Sequence, residues 1–92
     1  MKSLIGLKNV GKAVLKDLSL LGITSIEELA HKDPTLLFQE LERRTQKKQD
    51  PCVWDVFAAI INEAATGKPS NWWAWTKQRK LLQKNGVFKH II

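Results

Sequence analysis

Apolar residues recur along this chain at steps of three and four, which is the period of an α-helix rather than of a strand. Val14, Leu18 and Leu21 line one face of a segment that begins at Lys12. Residues Pro51 to Thr66 are apolar on nearly all sides, which indicates a central buried helix. No segment carries a clear strand pattern. The pattern therefore predicts an all-α fold.

Capping and turn residues divide this pattern into short helices. Gly22 and Gly67 stand where glycine ends a helix, and Ser25 with Glu28, or Thr24 with Glu27, fits a capping box. Asp33-Pro34 and Asp50-Pro51 each place an N-cap before a proline at the first helical position. We expect one domain, residues 1–92, forming a compact bundle of five or six short helices. Its parts are a hairpin region (3–31), central helices (33–66), a final helix (70–84) and a tail (85–92).

The same spacing predicts which side chains face inward. In the helix after Asp33, the residues expected inside are Leu37, Phe38 and Leu41, and those expected in water are Glu40, Glu42, Arg43 and Arg44. The final helix has an apolar seam of Trp72, Trp75, Arg79 and Leu82, and a second face of Trp73, Lys77, Lys80 and Lys84. The tail alternates apolar and basic residues, and its order is left open.

The chain must reverse direction between Leu7 and Lys12. Asn9 and Gly11 suit that turn, because Gly adopts positive φ freely and Asn tolerates it better than most residues. The expected result is a tight helix-turn-helix. Its second helix would begin with exposed backbone N–H groups, which form a ready anion site.

Composition adds an anionic partner to this picture. The 92 residues carry a net charge of +6 and are 43% hydrophobic, which supports a core. Residues 68–92 hold six basic residues and no acidic one, and residues 1–16 hold four lysines and no acidic one. Both ends are therefore basic, whereas the middle is balanced. Such asymmetry favours binding to an anionic molecule.

A soluble protein of the reducing cytoplasm is expected from the remaining composition. Cys52 is the single cysteine, so no internal disulfide can form. The longest apolar run, Val56 to Ile61, is six residues and too short to span a bilayer. The start of the chain has no signal-peptide pattern, and no membrane association is expected.

Leu7-Lys8-Asn9-Val10-Gly11-Lys12 resembles the helix-hairpin-helix motif, whose hairpin usually reads apolar-Pro-Gly-apolar-Gly. Lys8 stands in place of the usual Pro and Asn9 in place of the first Gly. In proteins with this motif, the hairpin backbone and a following Lys or Arg bind a DNA phosphate without reading sequence. The resemblance covers about residues 3–31.

Residues 4–80 as a whole resemble the Cdd1, or pathogenicity-locus, family of small bacterial helix-hairpin-helix proteins, some of which are labelled mitomycin-resistance proteins. The resemblance is carried by Asn9-Val10-Gly11-Lys12, Leu21-Gly22-Ile23, Ser25-Ile26-Glu27-Glu28-Leu29, Asp33-Pro34, Asp50-Pro51-Cys52 and Trp72-Trp73-Ala74-Trp75. It implies a compact helical fold and a DNA-related role, and it brings no established activity.

The leading hypothesis is an accessory protein that binds DNA without sequence specificity. The candidate binding residues are Lys8, Asn9, Val10, Gly11, Lys12, Lys16, Trp73, Lys77 and Lys80. Core packing is expected for Trp54, Trp72 and Trp75, whereas Trp73 has lysines as helical neighbours and suits base stacking or a partner contact. Two alternatives remain. The hairpin could be a structural turn, as in sterile-alpha-motif-like bundles, or the final helix and tail could dock a protein partner.

No catalytic or metal site is expected. Cys52 lies in the first turn of a helix, where the helix dipole can lower a thiol pKa, but no His is adjacent to it in sequence. With one Cys, His31 and His90 give no zinc pattern of recognised spacing. The chain lacks a Gly-rich phosphate loop and a nucleophile elbow. We therefore expect no enzyme, no cofactor and no small-molecule substrate.

Overall fold

The computed structural model describes residues 3–92, so Met1 and Lys2, one of the four lysines at this end, lie outside the described residues. The α-helices are α1 (Lys12–Leu20), α2 (Ile26–Ala30), α3 (Pro34–Thr45), α4 (Cys52–Thr66) and α5 (Thr76–Lys84). Two short 3-10 helices complete the fold, the N-terminal turn (Leu4–Gly6) and the tryptophan turn (Trp72–Trp75). The all-α prediction is confirmed, since residues 3–92 contain no strand. No helix in this range is both long and apolar enough to cross a membrane.

The core is built around α4, which packs against α2, α3, α5 and the tryptophan turn. Trp54, Phe57 and Ile60 of α4 are buried in one cluster with Leu18 of α1. Leu37, Phe38 and Leu41 of α3 belong to the same cluster, as their spacing predicts. The apolar character of α4 on nearly every side is thus explained by neighbours on several sides.

The predicted helix boundaries rest on real caps. Ser25 Oγ accepts the Glu28 N–H at 3.1 Å, so Ser25 rather than Thr24 is the N-cap of α2. Asp33 Oδ1 accepts from Thr35 N at 2.8 Å and Leu36 N at 3.1 Å. Asp50 Oδ1 accepts from Cys52 N at 2.8 Å at the start of α4. These local signals lie within a few residues of each helix end, which is why the sequence predicts them well.

The hairpin differs from its prediction in two respects. The segment before it is a single 3-10 turn rather than a full helix. Asn9 adopts positive φ, at 74°, but Gly11 does not: its φ of −105° and ψ of −168° are extended. Gly11 is the N-cap of α1, and an N-cap residue normally has this extended backbone. Asn9 alone therefore supplies the left-handed turn.

The final helix, predicted over residues 70–84, is not one continuous α-helix. It begins as the tryptophan turn and becomes α-helical only at Thr76. Trp75 and Leu82 pack against the core, whereas Trp72 is only half-buried and lies outside the core cluster. Arg79 is buried on the same seam because a carboxylate of α4 pairs with it, as described below.

The prediction that Glu42 faces water is wrong. Its side chain is fully buried, and its carboxylate accepts hydrogen bonds from Gln49 N at 2.9 Å and from Ile91 N at 2.9 Å. His90 Nδ1 lies 2.5 Å from the same carboxylate. These partners come from a loop and from the tail, so the spacing of residues within α3 gives no sign of them. The tail is ordered, and Phe88 fills the core beside Phe38 and Trp54.

Candidate nucleic-acid interface

The hairpin (residues 7–12) is a compact turn whose apolar residues anchor it to the core. Leu7 and Val10 are buried in the core cluster, and Val10 N donates to Leu7 O at 3.3 Å. The left-handed backbone of Asn9 reverses the chain between them. Val10 therefore serves the core, and its predicted role in binding is limited to shaping the backbone.

Several backbone N–H groups of the hairpin form no hydrogen bond with any acceptor among residues 3–92. They are those of Asn9, Gly11, Lys12 and Ala13. Gly11, Lys12 and Ala13 are exposed, and no side chain caps α1. Unsatisfied N–H groups and the helix dipole together make the start of α1 attractive to an anion.

Two long-range hydrogen bonds fix the hairpin to the rest of the fold. The Lys8 N–H donates to Glu63 Oε1 of α4 at 2.9 Å, and the Asn9 side chain donates through Nδ2 to Ser70 O at 2.8 Å. Proline has no N–H, so Lys8 in the usual proline position makes a bond that proline cannot. The two departures from the motif, Lys8 and Asn9, are therefore the two residues that anchor the hairpin.

The predicted basic residues are exposed but occupy two regions. Lys8 lies in the hairpin, and Lys12 and Lys16 lie on α1, which packs on α3. Lys77 and Lys80 lie on α5, which packs on α4 and the tryptophan turn. Within the described residues, no salt bridge joins any of these five lysines to a carboxylate. Their charges are thus available to a ligand.

The tryptophan turn stands next to the hairpin because Asn9 is bonded to Ser70. Trp73 is 60% exposed, and its ring lies 5.7 Å from that of Trp72 in an edge-to-face arrangement with an interplanar angle of 85°. Trp75 donates through Nε1 to Ser70 Oγ at 3.0 Å, and Trp54 is buried in the core. The expected packing of Trp54 and Trp75 and the exposure of Trp73 are confirmed, whereas the expected core packing of Trp72 is wrong, since Trp72 lies outside the core cluster.

A buried ion pair that the sequence did not reveal holds α5 and the tryptophan turn on α4. Asp55 is fully buried, and its carboxylate accepts from Arg79 Nε at 3.0 Å and from Thr76 Oγ1 at 2.7 Å. The hydrogen bond to Asp55 raises the pKa of Arg79 above its already high value. Arg79 lies on the inward seam that its spacing predicts, and its pairing with Asp55 explains how a charged side chain is accommodated there.

Cys52 lies beside this ion pair, with its Sγ 3.8 Å from Arg79 Nη2. Burial, followed by the neighbouring Asp50 carboxylate, raises the pKa of the Cys52 thiol. This direction is opposite to the lowering that the helix dipole alone would give. The raised pKa favours the protonated thiol over the thiolate.

A separate groove of about 380 Å³ lies between the end of α1 and the start of α3. Its lining is mixed in character and includes Leu21, His31, Lys32, Leu36, Glu40 and Arg44. None of the predicted binding residues lines it. The candidate interface is thus a convex hairpin and turn rather than a pocket.

Comparison with known proteins places this fold in a family. The profile of the Cdd1 family, described as "Pathogenicity locus", matches residues 1–81. The chain is also similar to the mitomycin resistance protein McrB of Streptomyces lavendulae, with 32% identity over 76 residues, which cover 83% of this chain and 72% of that protein. No solved structure matches the chain. The chain belongs to the Cdd1 family.

Proposed function

We propose that this protein binds DNA through the phosphate backbone, using the hairpin as its principal contact. The observation that carries the proposal is the set of unpaired N–H groups at Asn9, Gly11, Lys12 and Ala13, beside the exposed lysines of the same region. A phosphate accepts hydrogen bonds from such N–H groups at a helix start. Lys12 and Lys16, one helical turn apart, add charge beside it.

The contacts in this proposal do not read sequence. Backbone N–H groups and lysines bind phosphate oxygens, which are identical at every base pair. The name of the Streptomyces relative concerns mitomycin resistance and specifies neither a ligand nor a reaction. The proposal therefore rests on the geometry of the hairpin and on its resemblance to the helix-hairpin-helix motif.

A second candidate function is docking of a protein partner by α5 and the tail. The observation that favours it is a group of exposed apolar side chains at this end of the chain: Trp73, Leu81, Val87, Ile91 and Ile92. Clustered exposed apolar surface is a common feature of protein interfaces. The two functions differ in how strongly they depend on salt.

A salt titration of binding to labelled duplex DNA distinguishes them. We expect affinity to fall steeply with salt, because each phosphate contact contributes about −0.9 to the slope of log K against log salt. Replacing Lys12 and Lys16 by Ala should reduce the magnitude of that slope by about 2, that is by about 1 for each contact. Absence of DNA binding at low salt, with the protein folded, would favour the docking function.

Lys47→Ala with Lys48→Ala is the matched control for charge. Both residues are exposed and precede α4, whereas the hairpin is bonded to Glu63 near the other end of α4. Cys52 at the start of α4 and Glu63 are eleven positions apart, which corresponds to about 17 Å along the helix. This control removes the same charge as the hairpin variant and should leave most of the slope intact.

A further inference from the structure

Trp73 is an exposed aromatic side chain on a rigid support. The tryptophan turn is held to α4 by the Thr76–Asp55 hydrogen bond, and Trp75 is bonded to Ser70 at its base. The edge-to-face contact with Trp72 restricts the ring of Trp73. Trp73 contributes nothing to the core cluster, so the stability of the fold does not account for this large apolar group at the surface.

The hairpin and Trp73 are separated by a short, defined span. Asn9 is hydrogen bonded to Ser70, and only three residues lead from Ser70 to Trp73. Three residues span at most about 11 Å. Stacked nucleotides rise about 3.4 Å each along one strand, so this reach corresponds to about three nucleotides.

The charge around Trp73 also suits a nucleic acid strand. Lys68 and Lys77 are exposed before and after the tryptophan turn, and residues 68–92 contain no acidic residue. A strand that leaves the hairpin would therefore meet positive charge on both sides of an aromatic ring. This combination of a basic path and an aromatic platform is typical of sites for unpaired bases.

We propose that Trp73 stacks on an unpaired base within about three nucleotides of the phosphate bound by the hairpin. The ligand is then DNA with a junction between double and single strand, rather than uninterrupted duplex. Inside a duplex each base is covered on both faces by its neighbours and is closed to Trp73, whereas an unpaired base has a face free for stacking. This inference rests on the proposed function, since the hairpin supplies the phosphate contact.

The test compares three labelled DNAs that share the same duplex. One is blunt, one carries a 5′ single-stranded overhang of three nucleotides, and one carries a 3′ overhang of the same length. A base stacked on an aromatic side chain contributes about 5- to 150-fold in affinity, equivalent to 1–3 kcal/mol. We expect the wild-type protein to bind one junction at least about fivefold more tightly than the blunt duplex. Trp73→Ala should bind that junction no more tightly than the blunt duplex, whereas Trp73→Phe should keep much of the preference.

The outcomes separate this inference from the proposed function. If the wild-type protein binds the blunt duplex and both junctions equally, or if Trp73→Ala retains the preference, the stacking inference is wrong and the hairpin proposal stands. If Trp73→Ala weakens the blunt duplex and the junctions equally, Trp73 has a general contact and no junction preference. If the folded wild-type protein binds no DNA at low salt, both proposals fail and Trp73 becomes a candidate for protein docking. Circular dichroism checks that each variant keeps its helices.

Discussion

Asn9 has two separate structural roles, one through its backbone and one through its side chain. Its backbone supplies the positive φ that reverses the chain, and its side chain bonds the hairpin to Ser70. The sequence indicates both Asn9 and Gly11 for the positive-φ backbone, but Gly11 adopts an extended conformation, and an added Cβ there would meet open space. Substitution of Asn9, rather than of Gly11, is therefore expected to distort this turn.

Substitutions of Asn9 separate these two roles. Asn9→Val should weaken DNA binding more than Lys12→Ala does, because a β-branched side chain resists positive φ and distorts the turn that orients the N–H groups. Asn9→Gly keeps the backbone and loses only the Ser70 bond, so it should bind more tightly than Asn9→Val. Fluorescence anisotropy with duplex DNA measures both. Equal binding by Asn9→Val and wild type would show that the turn geometry is not used.

Glu42 is the second residue whose environment decides its role. Burial pushes its pKa upward, but hydrogen bonds from His90, Ile91 and Gln49 outweigh that effect and leave the pKa below its usual 4.5. A depressed carboxyl pKa stabilises the fold above the unfolded-state value, and this stability is lost as the pH falls through the folded-state value. The docking of the tail should therefore weaken in acid.

Glu42→Gln tests this connection. In the variant one carboxylate oxygen becomes an amide NH₂, which is a donor, so one of the groups that donate to Glu42 loses its acceptor. At neutral pH the variant should therefore lose about 1–3 kcal/mol of unfolding free energy. Below pH 4.5 the carboxyl of the unfolded wild-type chain binds a proton, and that of the folded chain does so only as the pH falls through its lowered pKa, so the difference between the two proteins should shrink. Urea unfolding at several pH values measures the difference. A gap that stays constant down to pH 3 would contradict the assignment.

At the scale of elements, the sequence predicts what is local and misses what is distant. Ser25, Asp33 and Gly67 act within a turn of their own helix, and each ends or begins the helix expected of it. The contacts that locate the hairpin are different, because Lys8 and Glu63 are 55 residues apart and Asn9 and Ser70 are 61 apart. No local period encodes such pairs. The candidate lysines could be found by composition, whereas their separation onto α1 and α5 required the fold.

The junction of α4 with α5 depends on the Asp55–Arg79 pair. Removing one partner of a buried ion pair leaves the other charge uncompensated, so Asp55→Ala should cost about 3–5 kcal/mol of unfolding free energy. Thr76→Val, which removes one hydrogen bond to the same carboxylate, should cost only about 1 kcal/mol. Denaturant unfolding measures both. A loss well under 1 kcal/mol for Asp55→Ala would show that the pair does not hold the junction.

Across the whole molecule, the residues that make structural contacts differ from those that are exposed as candidate binding groups. The segments Asp50-Pro51-Cys52 and Trp72-Trp73-Ala74-Trp75 lie near the α4–α5 junction, where Asp50, Cys52 and Trp75 make hydrogen bonds. Trp73 and the hairpin N–H groups are left at the surface beside this support. The fold thus holds the hairpin, which is the proposed anion site, and an exposed aromatic ring on the same support.

The most direct test of the central claim is a titration of the isotopically labelled protein with short duplex DNA, followed through its backbone amide resonances. We expect the amide signals of Asn9, Gly11, Lys12 and Ala13 to shift most, because their N–H groups would donate to phosphate. The signals of Lys47 and Lys48, at the other end of α4, should stay in place. If the hairpin signals remain unmoved while those of Lys77 and Lys80 shift, the hairpin is a structural turn and α5 holds the site.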